Sequence, residues 1–280
     1  MIFLRKRIKK SNKLKSIYLL ICIIFSIIII YSLFNIVSWF KDNQKIDKQV
    51  NDIINNTKVE EVKDNSNTEI IKQETKIPET SIYWTFLKTP LLNVNFDKLK
   101  NTNSDTVGWL NVSGTNINYP VVQAKDNSYY LTHSFDKTYN KAGWVFMDYR
   151  NKMDNLNKNT IIYAHSRVNN TMFGSLNKTL KKDWYNNKSN HMIRLSTENI
   201  NSMWQIFSVY TVPNTNDYIK TVFNNDDEFL DFINLIKNRS KFDFATDVNI
   251  GDNIITLSTC YKTNERVVVH AKLIKKETKN

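Results

Sequence analysis

Cys260 and Arg266 are the residues of this sequence whose types and spacing are best suited to joint chemistry. Cys260 closes a run rich in β-branched residues, 253–260, and Arg266 opens a second such run, 266–273. Only a short polar connection separates the two runs, a pattern typical of adjacent strands joined by a loop. Pairing of these strands would bring the thiol and the guanidinium to the same end of a sheet. A nearby cation favours the thiolate, which attacks carbonyl carbons, and it can stabilise the oxyanion that then forms.

The alternative for Cys260 is an inert buried thiol at the end of a strand, which is common for unpaired cysteines. The sequence has two cysteines, and the other, Cys22, lies in an apolar segment near the N-terminus. If that segment spans a membrane, Cys260 is the one thiol on the outer side and has no partner for an intramolecular disulfide. An unpaired thiol outside the cell is a liability unless it has a function, which favours chemistry.

Acyl transfer by a thiol also needs a group that takes and gives protons, most often a histidine. The sequence has four histidines. His270 lies in the middle of a predicted strand, His191 begins one, and His133 lies in an aromatic segment typical of packing. His165 ends a predicted strand and opens a loop, where functional side chains are common, so it is the candidate general acid and base. A structural histidine is the alternative at this position.

The N-terminal segments predict on which side of a membrane these residues lie. Seven basic residues and no acid precede residue 17, and residues 17–40 carry no charge. A helix over that run is about 36 Å long at about 1.5 Å per residue, enough to cross a hydrocarbon core of about 30 Å. The length of the run and its lack of an Ala-x-Ala cleavage site favour an uncleaved signal anchor over a cleaved signal peptide. The positive-inside rule then places residues 1–16 in the cytoplasm and the bulk of the chain outside, in a single-pass topology.

Composition divides the rest of the chain into two parts. Residues 41–82 are rich in Asn, Lys, Asp, Glu, Gln and Thr and are predicted to form a polar stalk. The spacing of Ile46 and Val50 is compatible with a short amphipathic helix at its start. Residues 83–280 are richer in aromatic side chains and are predicted to form one extracytoplasmic domain. The net charge of +12 is concentrated before residue 17, and the sequence has no zinc-ligand spacing or helix-turn-helix pattern, so nucleic acid is not an expected partner.

The extracytoplasmic domain is predicted to be mainly β. About eight segments have the alternation or the β-branched enrichment of short strands, which favours a barrel or a sandwich. One helix interrupts the series, with Asn225 as its predicted N-cap, Glu228 three residues on, and Phe229 and Ile236 on one apolar face. This helix is expected to pack on the barrel between the sixth and seventh strands. The predicted strands are 107–112, 117–122, 143–148, 160–165, 192–195, 203–212, 254–257 and 267–274.

Several segments resemble the class B sortases, which are membrane-anchored cysteine transpeptidases of Gram-positive bacteria. The resemblance is carried by residues 256–260 (Thr-Leu-Ser-Thr-Cys), by Arg266 at the head of Val-Val-Val-His-Ala-Lys-Leu, and by residues 161–165 (Ile-Ile-Tyr-Ala-His). It implies an eight-stranded sortase-type β-barrel with one or more N-terminal helices and one helix between strands 6 and 7, preceded by a single transmembrane helix. Other segments that resemble the family follow in order within residues 96–274: 105–110, 114–123, 125–131, 141–143, 146–148 and 172–176.

The resemblance also implies an activity. Cys260 would form a thioester at the Thr carbonyl of a C-terminal sorting motif, of the Asn-Pro-x-Thr-x kind, in exported proteins. His165 would protonate the leaving amine and then deprotonate an amine of a cell-wall precursor (lipid II or a cross-bridge peptide), while Arg266 would hold the carbonyl and the oxyanion. The resemblance further implies a set of substrate contacts, for which ordinary loop packing is the alternative: Asn127, Leu131, Tyr218, Ile219 and Ser258.

Two other functions are compatible with the same residues. A cell-wall cysteine peptidase would use the same three groups but release its thioester to water. A non-catalytic, membrane-anchored binding domain would leave Cys260 dispensable. The expected chemistry needs no metal and no organic cofactor, and the expected location is the cell membrane, reached through the N-terminal helix.

Overall fold

The structure is a computed structural model that describes residues 2–73, 76–152, 157–261 and 264–279; of residues 2–13, 260 and 261 it describes the backbone. The chain divides into two compact units, one that ends at Ile46 and one that begins at Asp47.

The N-terminal unit is helical and is supplied by α1 (Ile2–Asn56). The segment Leu14–Asn56 is the one helix in the described residues that is long and apolar enough to cross a membrane, with a mean hydropathy of 2.8 in its most apolar window. Every side chain from residue 14 to residue 40 is exposed. The predicted apolar helix at residues 17–40 is therefore present, within a longer helix. Length and composition make it a candidate membrane span, and a signal sequence meets the same criteria.

The second unit is built on a closed β-barrel. The strands of this unit are β1 (Val59–Val62), β2 (Thr68–Ile70), β3 (Leu91–Val94), β4 (Thr106–Val112), β5 (Asn118–Val122), β6 (Phe146–Met147), β7 (Asn159–Ala164), β8 (Met192–Ser196), β9 (Ile200–Pro213), β10 (Ile254–Tyr261) and β11 (Glu265–Thr278). Within the described residues, eight of them form a ring of hydrogen-bonded neighbours in the order β10-β7-β6-β5-β4-β8-β9-β11, and β11 pairs with β10 to close it. Pairing in the ring is antiparallel except between β5 and β6 and between β7 and β10.

The predicted eight-stranded barrel is confirmed, and each predicted strand has a counterpart among β4 to β11. β6 is shorter than the predicted strand 143–148, because Gly143 adopts φ +60° at the end of a turn. β9 and β11 are longer than predicted and pair with each other along most of their length. Among the largest side chains of the core, Trp109, Trp144 and Trp204 are almost completely buried.

The predicted helix between the sixth and seventh barrel strands is also confirmed. It is α5 (Asp226–Asn238), which lies between β9 and β10. Asn225 is its N-cap, since Oδ1 of Asn225 accepts a hydrogen bond from the Glu228 amide at 2.9 Å. The other α-helices in the described part of the chain are α2 (Tyr83–Lys88), α3 (Asp97–Thr102) and α4 (Lys182–Asn186). The apolar face of α5 packs into a cluster with β9 and β11 and consists of Phe229, Phe232, Ile233 and Ile236.

Part of the segment predicted as a polar stalk forms strands. β1 pairs with β3, and β2 pairs with β11. A buried ammonium adds to these contacts, because Nζ of Lys275 on β11 donates hydrogen bonds of 2.8 Å to Asp64 Oδ1 and to the carbonyls of Leu87 and Thr89. A polar composition shows only that a segment has few apolar side chains to bury. It does not show whether the backbone and charged groups of that segment bond to the folded domain. The boundary at residue 82 stays a prediction.

Candidate active site

The ends of three neighbouring strands bring the predicted catalytic residues together. β7 runs parallel to β10 with Ala164 beside Thr259, so His165 follows at the level of Cys260. β11 runs antiparallel to β10 with Arg266 opposite Cys260. The backbone of Cys260 therefore lies between those of the other two residues. The Cys260 side chain lies outside the described part of the structure.

Hydrogen bonds fix the position and the tautomer of His165. Its Nε2 lies 2.8 Å from the carbonyl oxygen of Leu131. Because a carbonyl oxygen only accepts, Nε2 carries the hydrogen, and Nδ1 is the basic nitrogen of the neutral ring. The backbone carbonyl of His165 accepts a hydrogen bond from the Phe173 amide at 3.0 Å. Thr259 Oγ1 also donates to the Ala164 carbonyl at 2.7 Å, which holds the ends of β7 and β10 in register.

A cavity of about 240 Å³ opens beside these strand ends. Its lining contains His165 and Arg266 together with all the residues predicted to contact substrate. These residues come from five separate segments of the chain, and folding brings them to one cavity. The predicted contact residues in the lining are Asn127, Leu131, Tyr218, Ile219 and Ser258.

The first wall of the cavity is the segment 126–131. Asp126 Oδ1 accepts hydrogen bonds from the amides of residues 128 and 129, which shapes the turn before the 3₁₀-helix Tyr129–Leu131. Tyr130 is buried, and its hydroxyl donates to Asp105 Oδ2 at 2.7 Å. These contacts hold the Leu131 carbonyl at the position where it bonds to His165.

The second wall is the loop 214–220. The Tyr218 hydroxyl lies 2.9 Å from Ser258 Oγ, and both side chains are buried. Arg239, just after α5, forms a two-point ion pair with Asp217 at 2.9 and 2.6 Å. The hydrogen bonds from Arg239 lower the pKa of Asp217 from its ordinary value, so this ion pair persists into mildly acidic solution. Tyr218 and Ser258 therefore take part in loop packing and also line the cavity; contact with substrate stays a prediction for both.

A buried ion pair that the sequence did not predict links the two walls. Asp148 follows β6, is fully buried and accepts hydrogen bonds from Arg150, from the Tyr163 hydroxyl at 2.9 Å and from Asn127 Nδ2 at 2.9 Å. Burial acts to raise the pKa of Asp148, but the hydrogen bonds from Arg150 and Tyr163 outweigh it and hold the pKa below its ordinary value. The available signal was an acid and an arginine two residues apart, at and just beyond the end of a predicted strand.

The other three histidines are not among the described residues that line the cavity. His270 is fully buried, and burial lowers its pKa to about 3. His191 is also buried, and burial lowers its pKa to about 4. His133 stacks on Tyr129 with ring centroids 4.0 Å apart. Among the described residues, no group of three or more His, Cys, Asp or Glu side chains is placed to hold a metal ion.

The fold and this arrangement of strand ends define the class of protein. The family model of the sortase domain matches residues 110–274, which is more than half of the chain. The chain therefore belongs to the sortase family, whose members are cysteine transpeptidases. The mainly β barrel and the helix between its sixth and seventh strands agree with this membership.

The relatives place the chain in class B, as the resemblance predicted. Sortase B of Staphylococcus aureus is 39% identical over 184 residues, which cover 64% of this chain and 75% of that protein. Sortase B of Listeria monocytogenes is 37% identical over 182 residues, which cover 64% and 73%.

Solved structures of the same class have the same fold. A sortase B from B. anthracis gives a TM-score of 0.67 at 33% identity, over 84% of this chain and 99% of that one. The S. aureus sortase B–substrate complex gives a TM-score of 0.61 at 39% identity, over 64% of this chain and 84% of that one. A sortase B complexed with triglycine gives a TM-score of 0.61 at 39% identity, over 64% and 85%.

Proposed function

We propose that this protein is a class B sortase that cleaves a C-terminal sorting motif and transfers the acyl group to an amine, with Cys260, His165 and Arg266 as its catalytic residues. The observation that carries the proposal is the strand register. Arg266 lies opposite Cys260, and Ala164 lies beside Thr259, one position before His165. The three groups thus belong to the same end of three adjacent strands, beside a cavity.

In the first half-reaction, Nδ1 of His165 takes the thiol proton and the Cys260 sulfur adds to the carbonyl carbon of the motif's Thr. Negative charge develops on the carbonyl oxygen, and the Arg266 guanidinium donates hydrogen bonds to it. The intermediate collapses with cleavage of the C–N bond, while His165 gives its proton to the departing amine. The products are a thioester on Cys260 and the released C-terminal part of the substrate.

In the second half-reaction, His165 removes a proton from an incoming amine, which attacks the thioester carbon. The C–S bond breaks, an amide forms, and His165 returns its proton to the departing Cys260 sulfur. The proposed acceptor is an amine of a cell-wall precursor, either lipid II or a cross-bridge peptide. The triglycine held by a related sortase B, a short peptide with a terminal amine, supports an acceptor of this chemistry.

The proposed substrate is an exported protein with a sorting motif of the Asn-Pro-x-Thr-x kind. Leu131 and Ile219 offer aliphatic contacts to an extended peptide, and Asn127 offers an amide that can pair with peptide groups. The position of these residues in the cavity lining supports the assignment, as it does for Tyr218 and Ser258. The solved complex of S. aureus sortase B with a substrate supports a substrate-binding role for this fold.

The proposed location is the cell membrane. Residues 1–16 would lie in the cytoplasm, residues 17–40 would span the bilayer, and residues 83–280 would act outside. Residues 41–82 would connect the span with the barrel, and their strands β1 and β2 pair with β3 and β11. The basic N-terminal flank and the exposed apolar side chains of residues 17–40 support this single-pass arrangement.

The test is mass spectrometry of the purified full-length protein incubated with peptides that contain Asn-Pro-x-Thr-x sequences. We expect an adduct on Cys260 with the mass of the peptide up to and including its Thr. Cys260→Ala should lose both the adduct and peptide cleavage. The matched control, Cys22→Ala, removes the other thiol and should keep both. Cleavage that persists in Cys260→Ala would exclude the proposed chemistry. Absence of both the adduct and cleavage in the wild-type protein would favour the binding-domain alternative.

A second arm separates a transpeptidase from a peptidase with the same catalytic groups. The reaction is run with and without an excess of a short glycine peptide as the amine. A transpeptidase should join the acyl part to the added amine. Release of the free acid alone, at every concentration of the amine, would favour the peptidase.

A further inference from the structure

A buried carboxylate lies under the cavity and accepts hydrogen bonds from several directions. Asp148 Oδ1 accepts from the backbone amide and Nε of Arg150, at 2.9 and 2.8 Å. Its Oδ2 accepts from Arg150 Nη2 at 2.7 Å, from Asn127 Nδ2 at 2.9 Å and from the Tyr163 hydroxyl at 2.9 Å. The side chain of Asp148 is completely buried, whereas that of Arg150 is 37% exposed. This arrangement locks the planar guanidinium in one orientation.

The locked guanidinium reaches the opposite wall of the cavity. Arg150 Nη2 donates to the Ile219 carbonyl at 3.0 Å. Asn127, on the first wall, is held by the same carboxylate and also accepts a hydrogen bond from the Tyr149 amide at 3.0 Å. The Asp148–Arg150 pair therefore connects Asn127 with Ile219, two cavity-lining residues that belong to different loops.

Two further hydrogen bonds of the second wall attach it to strands of the barrel. The Tyr218 hydroxyl is bonded to Ser258 on β10, and the Lys220 carbonyl accepts from Asn159 Nδ2 on β7 at 2.9 Å. These bonds tie the loop to the barrel strands behind it and not to the first wall. The bond from Arg150 to the Ile219 carbonyl, in contrast, joins the loop to the group that also holds Asn127. Loss of this bond should let the walls separate while the fold persists.

We propose that Arg150, held by Asp148, is a positioning residue that sets the separation of the two walls and thereby the affinity for the acyl-donor peptide. Arg150 takes no part in bond making, because its guanidinium is already engaged by Asp148 and by the Ile219 carbonyl. The inference rests on the proposed function, since it assumes that the sorting peptide lies between Asn127 and Ile219.

The test compares Arg150→Gln with wild type in the full-length protein by steady-state peptide cleavage. We expect KM to rise about tenfold, the size of one lost charge-assisted hydrogen bond that organises a site, and kcat to stay within about twofold. The rate of Cys260 alkylation by iodoacetamide against pH, measured in a Cys22→Ala background, should not change. An unchanged KM, or a loss of kcat alone, would overturn the inference.

Controls separate positioning from general stability. Arg194→Gln removes a similarly paired arginine on β8, where Arg194 contacts Glu61 at 2.9 Å, and it should leave KM unchanged. Arg150→Lys keeps the charge but loses the planar two-point pairing with Asp148 that orients the guanidinium, so it should raise KM in the same direction. If thermal unfolding shows that Arg150→Gln does not fold, Arg150→Lys replaces it in the test.

A binding measurement keeps the failure of this inference distinct from that of the proposed function. The affinity of a fluorescent sorting peptide is measured for Cys260→Ala and for Cys260→Ala combined with Arg150→Gln. We expect about tenfold weaker binding in the double variant. Equal affinities, together with loss of cleavage in Cys260→Ala, would overturn the positioning role alone. Cleavage by Cys260→Ala would overturn the proposed function.

Discussion

The barrel should lose stability as the pH falls below neutral, because one of its core histidines must stay uncharged. His270 on β11 is completely buried, with Nε2 2.8 Å from the Tyr210 hydroxyl and Nδ1 2.8 Å from Thr256 Oγ1. Thr256 donates its own hydrogen to Asn159 Oδ1 at 2.6 Å, so it accepts from Nδ1–H of His270. Nε2 then accepts from the Tyr210 hydroxyl. The neutral ring thus has both nitrogens satisfied, and a second ring hydrogen would displace the hydrogen bond that Nε2 accepts from Tyr210.

The size of the effect follows from the difference between the folded and unfolded pKa of His270. Burial, with a smaller contribution from the charge of Arg239, lowers the folded pKa to about 3, against about 6.5 in an unfolded chain. Between these values the unfolded chain binds a proton that the folded barrel does not. The free energy of unfolding therefore rises with pH in this window and is lost as the pH falls below about 6.5. Between pH 7 and pH 5 the loss from this one group is about 2 kcal/mol.

The assay is urea unfolding of the detergent-solubilised protein, followed by tryptophan fluorescence at pH 7 and at pH 5. His270→Gln should be less stable than wild type at pH 7, but its further loss on going to pH 5 should be smaller by about 2 kcal/mol. His191, whose pKa is lowered to about 4 by burial, contributes to the loss in both proteins.

A matched control is Val269→Ala, at the neighbouring fully buried position on β11. It creates a cavity without removing a titratable group, so it should lower stability equally at the two pH values. If His270→Gln and wild type lost the same free energy between pH 7 and pH 5, the reasoning from burial would be refuted.

Two further substitutions test how the site is supported. Gly143 has φ +60°, and a Cβ there would lie 2.4 Å from the Tyr130 carbonyl oxygen, so Gly143→Ala should cost about 2 kcal/mol of stability. It should also lower kcat, because the adjoining Leu131 carbonyl orients His165. A variant with wild-type kcat would argue against that link. Asn225→Ala removes the N-cap of α5 and should cost about 1 kcal/mol in urea unfolding. Asn225 is not among the described residues that line the cavity, so KM for the sorting peptide should stay unchanged, and a changed KM would contradict this expectation.

Local patterns in the sequence were sufficient to predict several secondary-structure elements and two of the candidate catalytic residues. The β-branched runs that end at Cys260 and begin at Arg266 predicted two neighbouring strands, and their register places the two residues opposite each other. Only a few residues separate the runs, so their pairing is a local event that alternation and composition can report. The N-cap at Asn225 and the apolar helix at residues 17–40 were predictable for the same reason, because each depends on residues within a few turns of one helix.

Tertiary structure decided how the distant segments meet. The parallel pairing of β7 with β10 places His165 beside Cys260, and nothing in either segment specifies that partner. The same holds for the contacts of Asp148 with Asn127 and of Arg150 with the Ile219 carbonyl. The sequence shows only that an acid and an arginine follow a strand. The partners of Asp148 and Arg150 depend on the tertiary fold, because a buried carboxylate must be hydrogen-bonded and the fold determines which donors lie within reach.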